Sequence, residues 1–290
     1  MPSQASAAFA SSQSAAGVAP IPRRELLFWI VVWLFANQTL QLLNVESLDA
    51  FSASLLTQND IYWLACGVTI YRLHASDRFV SANRVDCLLA VALGVCTLLS
   101  SLLPYRFGIG LLATLVAIYL LRFDRGDRNV KAAGYVLLAV STQLVWGPIV
   151  FQLFTPELLK ADAALVGAML REFRPDIIWS GTNFFAPDGH AISLIAACSS
   201  FNNVSSAVLA CVAVAMLRRN EWVRRDIATI MIASAAMILV NVVRICLFAW
   251  SEDYRLFWHD GAGAQMLGIA ETLVVFAIAW WSAAPPRRAS

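Results

Sequence analysis

The chain has 290 residues, of which 59% are hydrophobic and only 14% charged, with mean hydropathy +0.67. Soluble domains hold about 45–50% apolar and about 25% charged residues, so this excess excludes a single soluble core and points to a membrane protein. The net charge of +2 is uninformative, and no basic stripe with interleaved aromatics exists, which argues against nucleic acid as a partner.

Residues 1–20 are rich in Ala, Ser and Gln without periodicity and read as a disordered tail, leaving 21–290 as a single integral membrane domain. Arg23 and Arg24 precede the first apolar run, which reads as an uncleaved signal anchor. A spanning helix needs about 20 mostly apolar residues. Eight such runs occur, at 25–43, 58–73, 85–103, 107–123, 132–154, 190–217, 227–250 and 264–283. The expected fold is therefore all-α, a polytopic bundle of about eight spanning helices.

The charges between the runs set the orientation. Arg72, Arg78 and Arg84, then Arg122, Arg125, Arg128 and Lys131, then Arg218, Arg219, Arg224 and Arg225, and finally Arg287 and Arg288 all fall on the side of Arg23. The opposite connections carry Glu46, Asp49, Asp60, Arg106, Glu252, Asp253, Arg255 and Asp260. The positive-inside rule places both termini in the cytoplasm. On the outer side, Pro156 and Pro175 bracket a segment whose Leu158, Leu165, Met169, Leu170 and Phe173 approximate a helical period, with Lys160, Asp162, Arg171 and Glu172 opposite. It suits an amphipathic helix, either in the outer interface or on the rim of the bundle.

The six cysteines, Cys66, Cys87, Cys96, Cys198, Cys211 and Cys246, lie in apolar runs with no CxxC pair and no zinc-like spacing. No metal, cofactor or disulfide framework is expected. The sixth run is unusual in carrying Cys198, Ser199, Ser200, Asn202, Asn203, Ser205 and Ser206. Helical spacing puts Cys198, Asn202 and Ser205 or Ser206 on one face, directed into the bundle as packing or as a wet site. Arg244 breaks the apolar stretch 238–250, where a central Arg costs at least about 2.5–3.5 kcal/mol and calls for a partner or a function. Asn241 shares its face, and Glu271 in the last run is a possible ion-pair partner. Counted from the outer helix ends, Cys198, Arg244 and Glu271 all lie about 9–12 Å deep, at about 1.5 Å per residue.

His259, followed by Gly261 and Gly263, lies in the outer segment before the last run, where glycines permit tight turns. His190 is the weaker base, since eight helical residues, about 12 Å, would separate it from Cys198. A thiolate nucleophile, an imidazole acid/base and a guanidinium that binds an oxyanion together permit acyl transfer. A polar helix with Arg244 could instead line a solute path, so a transporter or export component without peptidase activity stays open, as does a non-catalytic scaffold.

The stretch Ala196-Ala197-Cys198-Ser199-Ser200, the pair Asn241 and Arg244, and His259 with Gly261 resemble the exosortase/archaeosortase family. The resemblance covers roughly residues 150–265. It implies a membrane-embedded cysteine protease/transpeptidase with Cys198 as nucleophile, Arg244 as oxyanion or substrate-orienting group, and His259 as general acid/base. Asn202, Asn241 and Glu271 stand as supporting or substrate-binding candidates. The implied partners are exported proteins bearing a C-terminal motif, a transmembrane helix and a basic cluster, together with an amine acceptor. The implied location is a bacterial inner membrane with the site facing the periplasm. Family members often have Glu-Ala-Cys-Ser-Gly, whereas this chain has Ala196 and Ser200 at the outer positions, which marks a divergent subfamily.

Overall fold

The computed structural model describes residues 21–43, 60–76, 81–102, 107–123, 126–259 and 261–284. The expected N-terminal tail, and the loop charges Glu46, Asp49, Arg78, Arg106, Arg125, Asp260, Arg287 and Arg288, lie outside them.

The described chain is an all-α bundle with one small sheet. Its helices are α1 (Arg23–Leu43), α2 (Asp60–His74), α3 (Arg84–Leu102), α4 (Phe107–Phe123) and α5 (Arg128–Ser141). A π-helical turn, Thr142–Trp146, leads into α6 (Gly147–Phe173), which is followed by strands β1 (Ile178–Ser180), β2 (Asn183–Phe185) and β3 (Ala191–Ser193). A single 3-10 turn, Ala196–Cys198, precedes α7 (Ser200–Arg219), α8 (Arg224–Trp250), α9 (Glu252–Trp258) and α10 (Ala262–Ser282). The first four runs and the last two become helices within three residues of expectation at either end. Four helical stretches are long and apolar enough to cross a membrane: 128–173, 200–219, 224–250 and 262–282.

Two expectations are corrected. The fifth run and the outer amphipathic segment form one continuous helical rod from Arg128, bent at Phe154 (φ −120°, ψ 18°) two residues before Pro156. Proline removes a backbone donor and clashes with the preceding turn, so the rod bends there without ending. The face that α6 buries also differs from the predicted one. Ala163, Val166 and Leu170 pack with Phe184, Leu194, Ile245 and Phe248, whereas Leu165 and Phe173 point outward. The C-terminal half of α6 is thus packed on the bundle, against α8 and the sheet.

The second correction concerns the sixth run, which is not helical until Ser200. Residues 178–193 instead form an antiparallel sheet of order β1-β2-β3, with Trp179 opposite Phe184 and Phe184 opposite Ile192. Gly181 (φ +62°) begins the tight turn between β1 and β2, a conformation that favours glycine. The sheet is clamped to α6 at Gly167, where an added Cβ would stand 2.5 Å from Cε3 of Trp179. Trp179 stacks on Phe184 and donates from Nε1 to the Gly181 carbonyl at 2.7 Å, so its ring has no easy retreat. Gly167→Ala is predicted to destabilise the fold by about 1–3 kcal/mol through overpacking. Thermal unfolding in detergent is the check, and an unchanged Tm would show that the clamp is slack.

Arg23, Arg24, Arg72, Arg218 and Arg219, predicted to share one side, gather at one end of the bundle. Arg23 pairs with Asp86 at 2.9 Å, Arg24 donates to the Ser76 carbonyl at 3.2 Å, and Arg218 donates to the Trp280 carbonyl at 2.8 Å. Arg72 reaches the last turn of α7, donating to the carbonyls of Met216 (2.8 Å) and Leu217 (2.5 Å). Cations at helix C-termini satisfy otherwise orphaned carbonyls and complement the helix dipole. Asn220 closes α7 in the left-handed conformation (φ 51°), with its N–H on the Met216 carbonyl. The sheet, the Cys198 turn and α9 stand at the opposite end.

Candidate active site

Cys198 ends the 3-10 turn that feeds α7, with its N–H on the Ile195 carbonyl at 2.8 Å. The turn is gripped from two sides. From α6, Asp162, only 6% exposed, accepts from Ser199 Oγ at 3.0 Å and from the Ser200 N–H at 3.0 Å through the same oxygen, Oδ2. From α8, Asn241 donates through Nδ2 to the Cys198 carbonyl at 2.9 Å and to Ser200 Oγ at 3.0 Å. Ser199 is itself the N-cap of α7, accepting from the Phe201 N–H at 3.2 Å. A carboxylate and a hydroxyl therefore satisfy the orphan donors at this helix start, where the dipole favours negative charge.

The predicted common face of Cys198 with Asn202, Ser205 and Ser206 is not found, because Cys198 precedes the helix. Its half-buried side chain packs with the cluster formed by α6, the sheet and α8. Asn202, Ser205 and Ser206 instead border a separate polar cavity of about 980 Å³, together with Asn241, Arg244, Glu271 and the flanks of the turn, Ala197 and Ser199. Gln143, on the π-helical turn, also lines it and donates to Ser206 Oγ at 3.2 Å. Such single-turn π insertions are frequent at functional sites.

Arg244 lies one turn beyond Asn241 on α8 and faces this cavity. Among the described residues it forms no ion pair with Glu271, although both border the same space. Arg244 Nε and Glu271 Oε1 are both buried without a hydrogen-bond partner. The supposed structural pair is therefore open, and Glu271 sits nine residues into α10, whose start is two residues earlier than expected.

His190 and His259 both gather at the end of α8. His259 is exposed at the end of α9, with its ring edge-on to Phe248 at 5.4 Å between centroids. The glycines after it serve close approach rather than positive φ: a Cβ on Gly261 would meet the Leu256 carbonyl oxygen at 2.9 Å. His190 lies in the β2–β3 connection, not in a helix, so the 12 Å of helix expected between it and Cys198 does not exist. It is nevertheless committed elsewhere. Nε2 lies 2.9 Å from the Phe248 carbonyl oxygen, Nδ1 lies 3.0 Å from Glu252 Oε2, and the side chain is 5% exposed. Arg255 donates to Glu252 and, with a smaller contribution from His190, holds that carboxyl below its usual range. His190 thus latches the sheet to the C-terminal end of α8. Asn241, which touches Cys198, is seven residues from Phe248, about 10 Å of helix. Among the described residues no hydrogen bond joins the Cys198 thiol to His259, His190 or Arg244.

Sequence reasoning missed Asp162, Gln143 and the latch role of His190. Asp162 had been placed on the solvated face of its segment. The signal that could have found it is its place among the small residues Ala163, Val166 and Gly167, at spacings of one, four and five. Gln143 lies within a run read as plainly apolar.

No curated protein and no solved structure matches the chain. One family model does, over residues 49–276, and so takes in α2 to α6 as well as the Cys198 turn, α8 and the His259 segment. With its long apolar helices, this multi-pass membrane protein belongs to the transmembrane exosortase family.

Proposed function

We propose that the protein is a membrane-embedded cysteine peptidase/transpeptidase that cuts C-terminal sorting signals of exported proteins on the outer side of a bacterial inner membrane and passes them to an acceptor. Family membership supports a transpeptidase-type membrane function in general. The observation that carries the residue-level reading is the Cys198 turn, gripped by Asp162 and Asn241 beside a polar cavity bordered by Arg244. The gathering of arginines at the opposite end supports an outward-facing site and cytoplasmic termini, by the positive-inside rule.

In this reading the Cys198 thiolate attacks the scissile carbonyl, forming a C–S bond. Arg244, a donor with an unpartnered Nε, stabilises the tetrahedral oxyanion. His259 protonates the leaving amine and afterwards deprotonates the nucleophile that resolves the thioester. Thiol and imidazole are not hydrogen-bonded in this structure, and the mechanism requires them to close up around substrate, as catalytic hydrogen bonds commonly do.

Cys198→Ala is expected to abolish processing and to accumulate uncut precursor of a target that ends in motif, helix and basic cluster. Unchanged processing in that strain would reject the nucleophile. The polar cavity also suits a solute path, and that reading makes the opposite forecast: Cys198→Ser would leave function intact while Arg244→Gln impairs it.

A further inference from the structure

Arg244 and Glu271 form an unusual arrangement. They are long, flexible and oppositely charged, they stand on neighbouring helices, and both border one cavity, yet they do not pair. Unpaired charge within a spanning segment is costly, so a purely structural pair would be expected to close. The volume of about 980 Å³ is at the upper end of small-molecule sites, roughly 300–1,000 Å³, and both charged residues border it.

The two poles select opposite chemistry. A guanidinium only donates and accommodates a carbonyl oxygen or an anion, whereas an ionised carboxylate only accepts and favours a cation rich in N–H groups. Gly268 lies on the same face as Glu271, one turn before it, and has open space where a Cβ would stand, which leaves a passage beside the carboxylate. Ile269 and Leu273 border the cavity and are each 63% exposed, so it opens sideways on the lipid-facing flank of α10. Asp60, exposed at the start of α2, adds a negative charge to the lining.

We propose that Glu271 is the ammonium pole of this cavity and receives the primary amine of the acceptor. The inference rests on the acyl-transfer reading above and adds to it the residue that binds the second substrate. The acceptor enters as an ammonium ion paired with the Glu271 carboxylate. One ammonium proton passes to Glu271, and the nitrogen lone pair attacks the thioester carbon. The C–N bond forms and the C–S bond breaks. A second proton is taken by His259 from the attacking nitrogen and passed to the Cys198 sulfur, and the third stays on the new amide nitrogen. Charge is conserved, since ammonium and carboxylate become amide and carboxylic acid. A free amine and a lipid-headgroup amine share this chemistry, and the experiment separates the two.

The full chain carrying Cys198→Ala, which is unable to turn over, is reconstituted in phosphatidylcholine nanodiscs and titrated with butylammonium by calorimetry, with butanol as the neutral control. Saturable butylammonium binding is expected, weakened about 10-fold or more by Glu271→Gln as a charge-assisted hydrogen bond is lost. Glu271→Asp, which keeps the charge, should retain much of the binding, and Tm values establish that both variants are folded. Adding phosphatidylethanolamine to the nanodiscs separates the sources. Competition with butylammonium identifies a membrane-borne amine, and its absence identifies a soluble one. No saturable binding, or equal binding by Glu271→Gln, overturns the proposal. Because binding is read without Cys198, it can fail while Cys198-dependent processing stands, and it can hold while that processing fails.

Discussion

Asp162→Ala is expected to lower processing by about 10- to 100-fold while leaving the protein folded, because small displacements of a reacting group cost rates of that order. The Asp162 carboxylate is buried and holds both Ser199 and Ser200 at 3.0 Å, immediately after Cys198, the proposed nucleophile. Its loss frees the start of α7 and leaves Ser199 Oγ without its acceptor. Capping losses alone cost about 0.5–2 kcal/mol, which a bundle of this size can absorb. Asp162→Asn keeps one acceptor oxygen and should recover part of the activity. The readout that distinguishes positioning from stability is the rate at which a membrane-impermeant thiol reagent labels Cys198. Positioning predicts a changed labelling rate at unchanged Tm. If processing and labelling both match wild type in Asp162→Ala, Asp162 has no part in presenting the thiol.

At the other end of the molecule, Arg72→Met is expected to destabilise the fold without touching the site. Arg72 is buried and donates to two carbonyls in the last turn of α7 and to Asn129 Oδ1 at 3.1 Å, so one side chain joins α2, α5 and α7. Hydrogen bonds to charged groups contribute roughly 1.5–3 kcal/mol each, and because the replacement recovers some packing a net loss of about 2–4 kcal/mol is expected. Arg72→Lys keeps the charge but not the planar fork and should fall in between. Thermal unfolding in detergent is the measurement. A Tm equal to wild type for Arg72→Met would mean that Asn220 and water satisfy those carbonyls unaided.

The two variants probe opposite ends of one design. The basic end is held by arginines on helix C-termini, and their identity was legible because charges between apolar runs must sit outside lipid. The end that carries the Cys198 turn also has an arginine on a helix C-terminus, Arg174 on the Trp250 carbonyl, but relies besides on buried groups such as Asn241, Ser199, His190 and Asp162, and these carry no comparable signal. Asp162 shows why. A carboxylate beside Lys160 and near Arg171 reads as part of a solvated face, since hydropathy treats every acid alike. Only the packing of α6 on the sheet makes its environment dry.

By itself the sequence determined the membrane class, most helix boundaries, the gathering of the arginines at one end and the motifs that single out Cys198, Asn241, Arg244 and His259. Each follows from a local rule: apolar length, charge placement, or the high cost of polar groups in lipid. The tertiary structure decided what spans several elements. It began the supposed sixth helix only at Ser200 and placed Cys198 on a turn, because the residues before it pair as strands, Asp162 and Ser199 cap the helix that follows, and Asn241 holds the turn. It left Arg244 and Glu271 unpaired on the border of one cavity, although equal depth along two helices had suggested a pair. Depth is a property of one chain segment, whereas contact depends on the direction of each side chain and on what packs between, and only the assembled bundle specifies those.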